Sequence, residues 1–138
     1  MNILLAANNK YLKYMENLIF SIKCNLEKED ISIYFINQNE EEKTINRTKR
    51  NLERKYDIEF HIINISNDLF KDMPVLEHFS IEMYFRLIAQ HILPKNLDRI
   101  LWVDIDIVCL KNLKTFYYQD FDNKSMVVCA DSLYDGEM

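Results

Sequence analysis

Three short apolar runs, residues 2–7, 31–36 and 58–63, are separated by two longer stretches with helical periodicity. In the first stretch the apolar residues are Leu12, Met15, Leu18, Ile19, Ile22 and Leu26, a stripe along one side of a helix. In the second, residues 40–56, the stripe thins to Ile45, Leu52 and Tyr56, so this helix is expected at the surface. Strand, helix, strand, helix, strand is the pattern of a right-handed parallel α/β half-sheet. Ligands of such sheets gather at the carboxyl ends of the strands. Here those ends are residues 6–9, 37–39 and 64–67, and the last two begin with Asn37 and Asn64, suited to turns and to polar recognition alike.

Beyond residue 66 the pattern changes. Residues 67–79 are irregular and contain Pro74; Ser80 then suits the N-cap of a helix running through Tyr84, Leu87, Ile88 and His91 and ended by Pro94. Arg86 lies close to that stripe, either as a stem covering the core or in a surface ion pair, or as a contact to phosphate or sugar hydroxyls. Residues 99–110 read as a nearly continuous apolar strand, central in the sheet and buried on both faces. A polar turn at 111–114, an aromatic patch of Phe116, Tyr117 and Tyr118, and a last strand at 125–130 come next, with Asp131 at its carboxyl end.

The 99–110 run carries two carboxylates, Asp104 and Asp106, near its middle. Side chains alternate along an extended chain, so both point to one side while Ile105 anchors the other. Two ionised carboxylates side by side repel, and burying each without a partner costs several kcal/mol. No basic residue sits between them. Either the pair ends the strand or starts a turn, or the strand stops at a cleft where a divalent cation bridges the two. Hard oxygen ligands favour Mg²⁺, Mn²⁺ or Ca²⁺.

Composition narrows the alternatives. A single glycine, Gly136, excludes both a GxxxxGK[ST] phosphate loop and a GxGxxG dinucleotide fingerprint. Any nucleotide phosphate must therefore be held by metal and side chains. A net charge of −5 argues against nucleic acid, whose binding depends on basic neutralisation of phosphates. The basic residues between Lys43 and Lys55 are interrupted by acids and read as a solvated helix face. Cys24, Cys109 and Cys129 are odd in number and widely spaced, which suits buried thiols in a reduced cytoplasmic chain. His61, His78 and His91 are not expected to bind metal, and Trp102 reads as core. The 138 residues suit one domain, with no apolar run long enough to span a bilayer and no secretion signal at the N-terminus.

With these residues placed, the chain resembles the retaining glycosyltransferases of family 8, which include bacterial lipopolysaccharide galactosyl- and glucosyltransferases and glycogenin. Ala6-Ala7-Asn8-Asn9-Lys10-Tyr11 is similar to the family's opening strand and uridine loop. Residues 79–87 resemble the helix with its donor-contacting arginine, here Arg86, and residues 100–110 its strand with the Asp-x-Asp motif. The resemblance implies a GT-A fold, an α/β, Rossmann-like and mostly parallel sheet flanked by helices. It implies Mn²⁺ (or Mg²⁺) held by Asp104 and Asp106, with donor UDP-sugar contacts from Ala6, Ala7, Asn8, Tyr11, Arg86, Asp104, Ile105, Asp106 and Asp131. The implied reaction moves a hexose, galactose or glucose, from a UDP-hexose donor to a glycan or lipooligosaccharide acceptor with retention of configuration.

The chain departs from the family's pattern in two ways. Asn8 stands where an acidic residue is usual, so uracil would meet a different donor pattern. In the family, the third metal ligand (a histidine), the catalytic residues and much of the acceptor site lie C-terminal to the point matching Met138. The expectation is a single nucleotide-sugar-binding domain over 1–138, the N-terminal half of a longer GT-A domain truncated on its C-terminal side. Alone it would be inactive and prone to self-association through the truncated edge. The expected location is cytoplasmic, peripheral to the inner membrane face for the full-length enzyme. The alternatives are a noncatalytic UDP-sugar-binding module and a structural remnant of a truncated gene.

Overall fold

The computed structural model describes residues 1–8, 10–26, 28–38, 41–66, 70 and 84–129. Four parallel strands, β1 (Asn2–Ala6), β2 (Ser32–Asn37), β3 (Glu59–Asn64) and β4 (Leu101–Trp102), form one sheet in the order β3-β2-β1-β4. The first half follows the sequence pattern within a residue or two. A single 3₁₀ turn at Leu12–Tyr14 leads into α1 (Met15–Asn25), and α2 (Glu42–Tyr56) connects β2 to β3. An αL residue, Asp57, ends α2, and its N–H donates to the Glu53 carbonyl at 3.1 Å.

Alternation along the strands builds two cores. Ile3, Leu5, Ile33, Phe35 and Phe60 pack on one face with Met15, Leu18, Ile19 and Ile22 of α1 and Ile45 and Leu52 of α2. On the other face Leu4, Tyr34 and Ile36 meet Phe70, Phe85 and Leu93, with Ile88, Ala89 and Ile92 of α3 (Phe85–Ile92) packed against them. Two helices on one face and the third on the other define a doubly wound sheet whose direction switches between β1 and β4. The helix ending before Pro94 is as expected, but its buried face is not. Leu87 is 62% exposed, and Phe85 replaces it as the residue in the core. The Ser80 cap and the irregular 71–79 segment lie outside the described residues.

The second half differs more. The expected strand over 99–110 shrinks to two residues, and among the described residues it lies at the end of the sheet order, not its centre. The ladder stops with one further bond, Val103 N–H to the Leu4 carbonyl at 3.2 Å, and Ile105-Asp106 form a turn. Past that turn the chain finds its hydrogen bonds on α1 instead. The Cys109 N–H donates to Ser21 Oγ at 2.8 Å, and Asn25 Nδ2 donates to the Cys109 carbonyl at 2.9 Å. A chain whose polar groups are satisfied by a helix has no need of a strand partner. Residues 125–129 are likewise not a strand; Ala130 is outside the described residues. Of the three thiols only Cys109 is buried, and Cys24 and Cys129 are exposed.

The amino ends of the strands are tied together. The Glu29 carboxylate accepts from Tyr118 Oη at 2.7 Å and pairs with Lys114 Nζ at 2.8 Å and the terminal amine at 3.6 Å. Arg99 donates to the Tyr117 carbonyl at 2.7 Å, and its guanidinium lies among the rings of Tyr117, Tyr118 and Phe121. The Asn2 N–H donates to Tyr117 Oη at 3.0 Å, so α4 (Lys114–Tyr117) carries the aromatic patch into this clamp.

Candidate functional site

The carboxyl ends of β1 and β4 adjoin at the switch point, and most of the expected ligand residues meet there. On the β1 side, Ala6 and Ala7 are small, half-buried residues leading into a tight turn. Asn8 organises it. Its carbonyl accepts the N–H groups of Tyr11 at 2.9 Å and Leu12 at 3.2 Å, and its Oδ1 accepts the Lys10 N–H at 3.2 Å. That side-chain oxygen therefore serves the turn, which is what an Asx residue does before a helix. The turn leaves the Tyr11 ring 41% exposed, tilted against Tyr14 with centroids 6.0 Å apart.

Past the end of β4, buried and exposed residues still alternate from Val103 to Asp106. Ile105 is buried in the first core, and Asp104 and Asp106 are exposed on either side of it. Ile105, expected among the donor contacts, therefore offers a ligand its main chain only. Asp104 is not loose. Trp102 Nε1–H donates to its Oδ1 at 3.2 Å, and the Arg86 guanidinium carbon lies 5.2 Å from the centre of the same indole ring. Arg86 of α3 is itself exposed. Trp102, read from the sequence as core, is half-buried and joins the two expected site residues. Its spacing held the signal: two residues before Asp104 on an extended chain puts both on one side.

Elsewhere the polar residues have structural work. Asn37 Nδ2 donates to Asn64 Oδ1 at 2.8 Å across paired strand ends, joining β2 and β3. His61 stacks on Tyr34 with centroids 4.7 Å apart. Asp131 lies outside the described residues. Among the described residues no group of three or more His, Cys, Asp or Glu side chains is placed to hold a metal ion.

The family model for glycosyl transferase family 8 matches residues 2–138. The chain belongs to glycosyl transferase family 8. Comparison with the curated proteins finds no match. Among solved structures, the fold is similar to the galactosyltransferase LgtC crystallised with donor and acceptor sugar analogues, with a TM-score of 0.77 and 23% identity. The alignment covers 88% of this chain and 43% of that one. The glycosyltransferase GlyE of Streptococcus pneumoniae aligns with a TM-score of 0.58 at 15% identity, covering 87% of this chain and 27% of GlyE. Mouse xyloside xylosyltransferase 1 aligns at 0.54 and 16%, covering 85% and 47%. The shared fold is GT-A, and this family 8 chain spans less than half the length of each of these structures.

The donor set of this family 8 chain can be tested against a divalent cation. Asp104 and Asp106 offer only carboxylate oxygens, both side chains reach solvent, and Trp102 occupies one oxygen of Asp104. Hard, partly solvated oxygen ligands suit Mg²⁺ or Mn²⁺, which keep several waters or take phosphate oxygens. The residues fit the ion, as an open site.

Proposed function

We propose that this chain is the UDP-sugar-binding part of a family 8 hexosyltransferase, and that Asp104 and Asp106 hold Mn²⁺ or Mg²⁺ beside the diphosphate. The observation that carries this is the meeting of Asp104, Trp102 and Arg86 at the β1/β4 switch point, next to the loop with Asn8 and Tyr11. The bound cation would neutralise charge growing on the departing UDP. Tyr11 stacks against uracil, with Ala6 and Ala7 lining its approach. Arg86 contacts the diphosphate-sugar end, and Asp131 the transferred sugar.

In a longer enzyme the hexose, galactose or glucose, passes to a glycan or lipooligosaccharide acceptor with retention. The proposed location of that reaction is the cytoplasm, peripheral to the inner membrane face. The 138 residues alone are proposed to bind donor without completing transfer; they align with 43% of LgtC. Exposed Ile107, Val108, Leu110, Met126 and Val128 favour self-association of the isolated chain, and light scattering would read that directly.

The deciding experiment is calorimetric titration of UDP with Mn²⁺ and then with chelator. Metal-dependent binding that vanishes in Asp104→Asn/Asp106→Asn supports the reading. Binding unaffected by chelator and by both substitutions would reduce the pair to strand-end residues. Robust hexose transfer from UDP-hexoses to a glycan by the 138 residues would refute inactivity.

A further inference from the structure

Trp102 stands at the centre of the site without being one of its expected ligands. Three things converge on its side chain. The indole N–H donates to Asp104 Oδ1 at 3.2 Å; the Arg86 guanidinium carbon lies 5.2 Å from the ring centre; and apolar contacts with the second core, beside the Leu4–Trp102 strand pairing, seat the ring. We infer that Trp102 is a positioning residue that holds Asp104 for the cation and Arg86 for the sugar-diphosphate from one rigid frame. The inference rests on the proposed reading of the site.

The chemistry of indole explains why one side chain can do both. Its N–H is a donor only and lies in the ring plane, so it suits a carboxylate at the edge. Its face carries the negative lobe of the ring quadrupole, so it suits a guanidinium above. Phenylalanine could keep the second contact and leucine neither. A surface aspartate otherwise samples several rotamers, and ordering it on binding costs affinity. With Oδ1 engaged, Asp104 is fixed in advance. Groups that orient metal ligands in this way typically change affinity by about 10- to 100-fold when removed.

The chain contains one tryptophan, so ¹⁵N labelling gives a single indole N–H resonance. Without metal or nucleotide, Asp104→Ala should shift that resonance clearly and Asp106→Ala much less. An unmoved resonance in Asp104→Ala overturns the inference. The second arm is a Mn²⁺ titration followed by the paramagnetic signal of the free ion. Trp102→Phe should weaken Mn²⁺ binding roughly tenfold with little change in melting temperature. Trp102→Leu should weaken it equally and also erase the affinity advantage of UDP-hexose over UDP, both titrated at saturating Mn²⁺. Unchanged Mn²⁺ affinity in Trp102→Phe overturns the inference. Failure of the unsubstituted chain to bind Mn²⁺ would instead overturn the metal reading, and the indole resonance would still decide whether Trp102 holds Asp104.

Discussion

The hydroxyl of Ser21, buried on α1, accepts the backbone N–H of Cys109 at 2.8 Å while donating to the Leu18 carbonyl at 2.8 Å. This contact spans 88 residues and holds the segment that leaves the Asp104–Asp106 turn. Ser21→Ala would leave a buried N–H without its acceptor, a loss of about 1–3 kcal/mol. Urea unfolding should show that drop. An unchanged midpoint would mean the 107–110 segment finds another acceptor.

Asp104 and Asp106 are exposed, so changing both to Asn should cost little stability, within about 0.5 kcal/mol. Metal-dependent UDP affinity should nonetheless fall to its value in chelator. Thermal melting with and without Mn²⁺ separates the two effects: the parent chain gains stability from the ion and the double variant does not.

Tyr11 presents an exposed ring at the first turn after β1. Tyr11→Ala should cost about 1–3 kcal/mol of UDP binding if that ring stacks on the base. Stability should barely move, because the turn is held by Asn8 and not by the ring. Equal affinity of the variant and the parent in calorimetry would remove Tyr11 from the donor site.

Hydrogen bonds from Lys114 and Tyr118 hold the Glu29 carboxyl down at about 2, against an ordinary value of 4.5. A depressed folded-state value stabilises the fold above the unfolded value and loses that contribution as pH falls through the folded one. Melting temperature should therefore decline between pH 4.5 and 2 more steeply in the parent than in Glu29→Gln. At pH 7 the variant should be less stable by about 1 kcal/mol, since solvent screens the pairs. Parallel pH profiles would show that Glu29 is not the group responsible.

The first three strands and two helices were legible because period-2 and period-3.6 patterns act locally. The burial of Ile105 between two exposed aspartates was legible for the same reason. The strand over 99–110 misled because its apolar residues do not disclose where the backbone finds its partners. Those partners, Ser21 and Asn25, sit on a helix more than 80 residues earlier. Glu29 was silent in sequence for a like reason: Tyr118, which bonds it, is 89 positions away. Trp102 looked like core by type alone. Its role depends on an α3 residue and a carboxylate brought together by the sheet.

The Glu29 and Arg99 clamp closes the amino ends of the strands, while the aspartates and the Asn8 turn occupy the opposite rim. Cohesion and chemistry thus draw on different residues. The loops of the rim are consequently the natural place to exchange donor preference by recombination between family members. The clamped end could remain as an unaltered chassis, and swapped rims would be screened for ligand preference without first being rescued for folding.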